Sequence, residues 1–155
     1  MTAFTKAAQR VAAATALTLA LAGCAMTPSS PEASAPPSLP GTTWSATTLA
    51  RDSGALAALV PGSKITLAFG ADGRASGSAG CNRYFASYQA EGSKLTLKGG
   101  GSTRMMCGGD GVMAQEQAYL RALDTVATMR IEADRLELRT AAGAPVAAFR
   151  RERTE

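Results

Sequence analysis

The stretch of residues 76–88, SGSAGCNRYFASY, places Cys81 beside Asn82, Arg83 and Tyr84. A cysteine in this setting could act as a nucleophile, ligate a metal, form a disulfide or fill a small buried space. A nucleophilic cysteine needs a neighbouring base, and the chain contains no histidine. The positive charge of Arg83 could favour a thiolate, but arginine cannot accept a proton at working pH. The sequence therefore excludes Cys-His and Ser-His-Asp catalysis.

Metal and phosphate chemistry find equally little support in the sequence. Zinc held by four Cys or His ligands is excluded, because only Cys81 and Cys107 remain beside a cysteine near the N-terminus. The Asp72-Gly73 pair is typical of a hairpin turn and is not embedded in a calcium loop. The glycine-rich stretch 99–111, which contains Arg104, lacks the Gly-Lys-Ser/Thr ending of a phosphate loop. We therefore expect no metal, no cofactor and no enzymatic activity.

The N-terminus has the pattern of an export signal. Basic residues and no acid precede the apolar run 11–23, which is shorter than the roughly 20 residues of a membrane-spanning helix. The run ends in Leu21-Ala22-Gly23-Cys24, which resembles a bacterial lipobox. This resemblance implies that residues 1–23 are a lipoprotein signal peptide and that Cys24 becomes the lipidated N-terminus. The alternative is an ordinary secretory signal with an incidental cysteine.

Residues 24–40 predict a lipidated cysteine followed by a disordered, Pro/Ser-rich tether, since five of the seven prolines lie there. The folded domain is predicted over 41–151. No aspartate follows Cys24, which in lipoproteins of two-membrane bacteria resembles export to the outer membrane, with the domain facing the periplasm. Of the 16 Lys and Arg, two leave with the signal, so 14 remain against 12 acids. This weak excess gives no support to a nucleic-acid partner.

The predicted domain has mainly the period of β-strands. Apolar residues alternate with polar or small ones in four sets, and turn residues separate the sets, which favours antiparallel hairpins. The sets are Ile65, Leu67 and Phe69; Leu95 and Leu97; Met129 and Ile131; Leu136 and Leu138. A helical spacing predicts one helix over 111–127, with Asp110 as its N-cap. The glycine-rich stretch before it predicts a flexible loop around a short strand at Thr103–Cys107.

Several of these segments together resemble the META domain of bacterial heat-shock lipoproteins of the HslJ type. The residues that carry the resemblance are Trp44, Ile65-Thr66-Leu67, Gly80-Cys81-Asn82-Arg83-Tyr84 with Tyr88, Thr103-Arg104-Met105-Met106-Cys107, and Glu116 with Tyr119-Leu120. The resemblance implies an α+β fold, with a curved antiparallel sheet or half-barrel and one packed helix. It also implies a role in stress response, envelope integrity or antibiotic tolerance, without an established catalytic activity. Gly99, Gly100 and Gly101, and Gly108 after the second cysteine, depart from the family pattern.

The polar residues of these motifs have structural and binding interpretations. A disulfide between Cys81 and Cys107 is favoured in an oxidising compartment, and two buried free thiols are the alternative. Asn82 is expected to satisfy backbone groups at a bend in preference to binding a ligand. Arg83 and Arg104 are expected to pair with Glu116. Tyr84 and Tyr88 share one face of a strand, which could be core or an exposed aromatic surface.

Two functions remain open at this stage. The first is a non-enzymatic, lipid-anchored envelope protein that acts by binding an envelope partner or by supporting envelope integrity. The second is a module that binds a small apolar or anionic ligand on the concave sheet face near Arg83, Tyr84 and Tyr88. A deep pocket on that face favours the second function, and an interior filled by side chains favours the first.

Overall fold

The computed structural model describes residues 38–51 and 54–153. The predicted signal peptide and most of the predicted tether lie outside these residues. The strands of the described part are β1 Thr42–Ala50, β2 Leu56–Ala58, β3 Lys64–Phe69, β4 Arg74–Gly80, β5 Arg83–Glu91, β6 Lys94–Ser102, β7 Val126–Glu132, β8 Arg135–Thr140 and β9 Pro145–Arg151. The helix α1, Val112–Leu123, lies between β6 and β7. No helix of the described residues is long and apolar enough to cross a membrane, since α1 has 12 residues and a crossing requires roughly 20.

Eight strands form a closed antiparallel barrel. Neighbouring strands pair in the order β1-β3-β4-β5-β6-β7-β8-β9, and β9 pairs back with β1. The short β2 pairs with the last residues of β1, on the side of β1 opposite to β9. The predicted antiparallel sheet with one packed helix is thus confirmed, but the predicted half-barrel is wrong. Closure removes both sheet edges, which an open half-barrel would leave unpaired.

The barrel interior is filled by side chains from alternating strand positions. In β3, the buried residues are Ile65, Leu67 and Phe69, as their spacing predicts. The pairs Leu95 and Leu97, and Leu136 and Leu138, are buried as well, whereas Met129 and Ile131 are only partly buried. The buried aromatic side chains of the core are Trp44, Phe69, Tyr84, Tyr88, Tyr119 and Phe149. These side chains fill the concave face near Tyr84 and Tyr88, which favours the first of the two functions left open by the sequence.

The ring is weakest between β6 and β7, and α1 lies in the chain between these two strands. Only Lys94 and Thr128 pair across this gap, with one further hydrogen bond from the Met129 N–H to the Ser93 carbonyl (2.8 Å). The buried residues of α1 are Gln115, Glu116, Tyr119 and Leu123. The helix packs mainly against β4 and adds these side chains to the core.

The helix differs from its prediction at both ends. It spans Val112–Leu123 and not 111–127, and its N-cap is Gly111 in the left-handed conformation (φ 81°) and not Asp110. At the other end, the Thr125 hydroxyl donates to the Ala122 carbonyl (2.7 Å), and Val126 already belongs to β7. Glycine adopts a positive φ without the steric strain that a Cβ brings, and this explains why glycine occupies the N-cap position here.

The glycine-rich stretch differs from its prediction in two places. Residues 99–102, expected to be loop, belong to a strand, and residues 103–107, expected to be a short strand, form a loop. Gly99, Gly100 and Gly101 lie in β6, which ends at Ser102. Gly99 has φ 67°, and one extra residue of β6 is accommodated opposite Ala86. A left-handed glycine in a β-bulge explains this arrangement. Residues 103–108 have no regular secondary structure.

Candidate functional site

The turn between β4 and β5 contains the Gly-Cys-Asn sequence. Gly80 has φ 117°, a conformation that side chains rarely adopt, and a Cβ there would lie 3.0 Å from the Ser63 hydroxyl oxygen. The turn directs the backbone N–H groups of Cys81 and Asn82 towards α1. The backbone conformation therefore favours glycine at position 80, and a Cβ there would also require the Ser63 side chain to shift slightly.

The Asn82 side chain connects three segments of the chain. Its Nδ2 donates to the Met105 carbonyl (3.0 Å) and to Glu116 Oε1 (2.7 Å). Its Oδ1 accepts from the Thr103 hydroxyl (2.8 Å) and from the Met105 N–H (2.7 Å). These four bonds use both donors and both acceptor positions of the amide. The expected structural role of Asn82 at a bend is what the geometry shows.

The Glu116 carboxylate is the second half of this arrangement, and only 4% of the residue is exposed. Its Oε2 accepts from the N–H groups of Cys81 (3.1 Å) and Asn82 (2.6 Å), in addition to the Asn82 bond at Oε1. Three N–H donors thus compensate the buried negative charge. We call Asn82, Thr103, Met105 and Glu116 the Asn82 cluster.

The arginines predicted to pair with Glu116 do not reach it. Arg83 and Arg104 are exposed, and among residues 38–51 and 54–153 no ion pair joins either of them to Glu116. Arg83 alternates with the buried Asn82 and Tyr84, so its side chain lies on the outer face of β5. Neutral N–H groups balance the charge of Glu116 where the sequence suggested guanidinium groups.

A disulfide between Cys81 and Cys107 lies beside the Asn82 cluster. Their Cα atoms are 5.8 Å apart, and the bond closes a loop with a sequence separation of 26. It joins the β4–β5 turn to the segment 103–108 that Asn82 also holds. The structure contains the disulfide that the sequence favoured, and neither sulfur is a free nucleophile in it.

Tyr84 and Tyr88 lie on the core side of β5. The Tyr88 hydroxyl donates to the Gly70 carbonyl (2.7 Å), and the Tyr84 hydroxyl donates to the Thr66 carbonyl (2.9 Å). The Tyr119 hydroxyl lies 2.7 Å from that of Tyr84, and it must donate because the one hydroxyl hydrogen of Tyr84 is already used. Burial raises the pKa of the Tyr84 and Tyr119 hydroxyls well above the ordinary value. Tyr84 and Tyr88, which were predicted to share one face of a strand, are therefore core residues.

Several contributors to this arrangement were not predicted from the sequence. Gln115 accepts from the Val60 N–H (2.6 Å) and donates to the Ser63 hydroxyl (2.7 Å), which fixes the β2–β3 loop on α1. Tyr119 joins the core through Tyr84. Gln115 and Glu116, four and three residues before Tyr119, are the signal that could have identified this face, because positions three and four apart share one side of a helix.

The chemistry open to these residues is limited. Across the described ranges, no three or more His, Cys, Asp and Glu side chains lie close enough to hold a metal ion. A cavity of about 150 Å³ lies next to Tyr84, between the glycines of β6 and the end of α1, and is lined among others by Leu97, Leu120, Leu123 and Asp124. The Asn82 cluster itself has its hydrogen-bonding capacity taken up internally.

Comparison with known proteins places this fold. A model of the META domain family matches residues 37–153. This chain belongs to the META domain family. The match includes the β4–β5 turn, the disulfide and α1, so the Asn82 cluster lies within a META domain.

Three solved structures are similar to this chain in fold. An NMR structure of a protein from Burkholderia xenovorans is 30% identical, with a TM-score of 0.61 over 81% of this chain and 97% of that one. A second NMR structure is 23% identical, with a TM-score of 0.56 over 72% and 90% of the two chains. A crystal structure of a DUF4847 family protein from Bacteroides vulgatus, at 13% identity and a TM-score of 0.52 over 76% and 96%, shares the fold. No curated protein matches the chain.

Proposed function

We propose that this META-domain protein is a lipid-anchored, non-enzymatic protein of the bacterial envelope that acts through binding on its outer surface. The observation that carries the proposal is the Asn82 cluster. Asn82 uses all four of its hydrogen-bonding positions internally, and Glu116 accepts three N–H groups. A catalytic site needs groups that can exchange a proton or a bond with substrate, and these groups are committed to the fold.

The location rests on two supports. The Leu-Ala-Gly-Cys sequence ending at Cys24 resembles a lipobox, and several acyl chains on that cysteine would hold the protein at a membrane. The disulfide between Cys81 and Cys107 fits an oxidising compartment such as the periplasm. With Ala25 after Cys24, we propose the periplasmic face of the outer membrane.

The proposed role in envelope integrity under stress is supported by the family resemblance. An experiment in cells tests this role. A strain that lacks the protein is exposed to detergent and antibiotic stress, and wild-type protein or the Cys24→Ser variant is supplied in return. We expect wild type to restore survival and to take up a palmitate label, and we expect Cys24→Ser to do neither. Full rescue by an unlabelled Cys24→Ser variant would overturn the proposed role of the anchor.

A small-ligand function is the second candidate. The cavity of about 150 Å³ between β6 and α1 has an apolar wall that includes Leu97, Leu120 and Leu123. Apolar cavities of this size can bind a benzene-sized molecule. Titration of the wild-type protein with indole tests this function. The comparison protein is a Leu120→Trp variant, whose larger side chain fills the cavity. Equal binding by both proteins would exclude this cavity as the ligand site.

A further inference from the structure

Three of the four large apolar side chains exposed in residues 38–51 and 54–153 lie on β5 and on the segment 103–108, two segments that a hydrogen bond joins at Arg83 and Thr103. They are Met106, which is 86% exposed, Met105 at 60% and Phe85 at 50%. Two exposed arginines accompany them: Arg83 is two residues from Phe85, and Arg104 precedes Met105. We call Arg83, Phe85, Arg104, Met105 and Met106 the outer patch.

The fold holds the outer patch rigidly. Thr103 donates its N–H to the Arg83 carbonyl (3.0 Å), Met105 is bound to Asn82 through both its N–H and its carbonyl, and Cys107 is covalently joined to Cys81. Three of five consecutive residues are therefore fixed, while the side chains between and beside them face solvent. The exposure of the two methionines does not arise from a loose loop, since the Asn82 cluster and the disulfide fix its backbone.

Phe85, at one end of the outer patch, shares the outer face of the barrel with the residues where the chain enters the domain. A row of paired residues crosses the outer face from Thr43 through Ala68 and Ser76 to Phe85. Three strand spacings separate its ends, which is about 14 Å. One open groove of about 650 Å³ touches Gly41 and Thr43 as well as Phe85. Leu39, just before β1, is already buried in the core.

This position restricts what the outer patch can meet. If Cys24 carries lipid, the chain between it and Leu39 cannot exceed about 50 Å, because extended residues span at most roughly 3.3–3.6 Å each. The patch then stays within reach of the bilayer surface. Its two arginines can pair with lipid phosphates, and methionine and phenylalanine side chains suit the region between headgroups and acyl chains. In the adjoining groove Asp72 lies beside Arg74, so that part adds little net charge.

We propose that the outer patch docks the domain on an anionic phospholipid bilayer. This inference rests on the proposed lipid anchor and extends it, because it names the face of the barrel that meets the membrane. In this account the Asn82 cluster and the disulfide serve to present Arg104, Met105 and Met106 in one fixed arrangement.

The exposed methionines are natural reporters of docking. The lipidated mature protein is reconstituted into phosphatidylcholine vesicles with or without phosphatidylglycerol. Flotation measures anchoring, and mass spectrometry measures the rate at which dilute hydrogen peroxide converts Met105 and Met106 to sulfoxides. We expect oxidation to be at least five-fold slower on anionic vesicles, and we expect high salt to abolish the difference.

Paired variants test the role of charge. Each arginine at an anionic surface contributes about a five-fold preference, so Arg83→Gln with Arg104→Gln should weaken docking about 25-fold and remove the protection. The matched control is Arg130→Gln with Arg150→Gln, two exposed arginines on β7 and β9, which should keep it. Unchanged thermal unfolding of both double variants confirms that they fold.

Three other results would each contradict the docking proposal. Protein that floats but is oxidised equally fast on both vesicles overturns the docking proposal and leaves the anchor intact. Protection on neutral vesicles that grows with protein density indicates contact with a second copy and also overturns docking to lipid. Protein that does not float at all overturns the anchor and the docking proposal together.

Discussion

Replacing Glu116 by glutamine tests whether the Asn82 cluster stabilises the fold. The glutamine side chain has nearly the same size and shape, so packing in the core is conserved. Only one of its two terminal atoms accepts hydrogen bonds, whereas the carboxylate accepts three N–H groups through two oxygens. Whichever way the amide is turned, an NH₂ group faces an N–H donor of Cys81 or Asn82.

The magnitude follows from the three bonds. A hydrogen bond to a charged group contributes about 2 kcal/mol net and a neutral one about 1 kcal/mol, so two neutral bonds in place of three charge-assisted ones lose about 4 kcal/mol. Part of this loss is recovered, because a neutral amide is less costly to bury than a carboxylate. We expect a decrease of about 2–3 kcal/mol in the free energy of unfolding, and a melting temperature lower by about 10 °C.

Urea unfolding of the oxidised protein, followed by circular dichroism, measures this change. The matched control is Glu132→Gln, the same chemical change at a carboxylate that is 60% exposed and paired only with the exposed Arg130. It should alter the free energy of unfolding by less than about 1 kcal/mol. Equal effects of the two variants would refute the claim that Glu116 is a buried acceptor for the β4–β5 turn.

Three further predictions concern the disulfide, the tyrosines and the glycines. Removing the disulfide through Cys81→Ser with Cys107→Ser should lower the free energy of unfolding by about 3.5 kcal/mol, given the sequence separation of 26, and an unchanged urea midpoint would contradict this. All three tyrosines have a raised pKa, through burial first, so the folded state keeps protons that the unfolded state releases near pH 10.0. The free energy of unfolding should therefore be constant below pH 10 and fall as the pH rises above it. Absorbance at 295 nm should show little tyrosinate until the protein unfolds. Ionisation of the folded protein at pH 10 would argue against buried hydroxyls. Gly77→Ala should be strongly destabilising, because its Cβ would lie 2.0 Å from a β3 carbonyl oxygen, whereas Gly108→Ala meets nothing within 4 Å and should be near neutral in thermal unfolding.

Much of the fold could be predicted from local patterns. The alternation of Ile65, Leu67 and Phe69 identifies a strand face directly, and the turns between hairpins follow from their glycine and aspartate residues. Closure of the barrel could not be predicted, because it depends on pairing between β1 and β9, which lie about a hundred residues apart. Such pairing leaves no mark in either strand alone.

The candidate site divides in the same way. The sequence identified Cys81, Cys107 and Asn82 with their structural roles, since few alternatives remain for cysteines in a chain without histidine. It predicted the wrong partners for Glu116, because opposite charges in a sequence suggest ion pairs, while backbone N–H groups that compete for the same carboxylate are present at every residue. The orientation of that carboxylate is set by tertiary packing of α1 against the β4–β5 turn.

The mass of the intact protein from the membrane fraction of its own cells tests the central claim most directly. The account predicts a chain that begins at Cys24, carries a diacylglyceryl group and an N-terminal acyl group, and is lighter by two hydrogens because Cys81 and Cys107 are joined. A chain without lipid, cleaved elsewhere, or with both thiols free would contradict it.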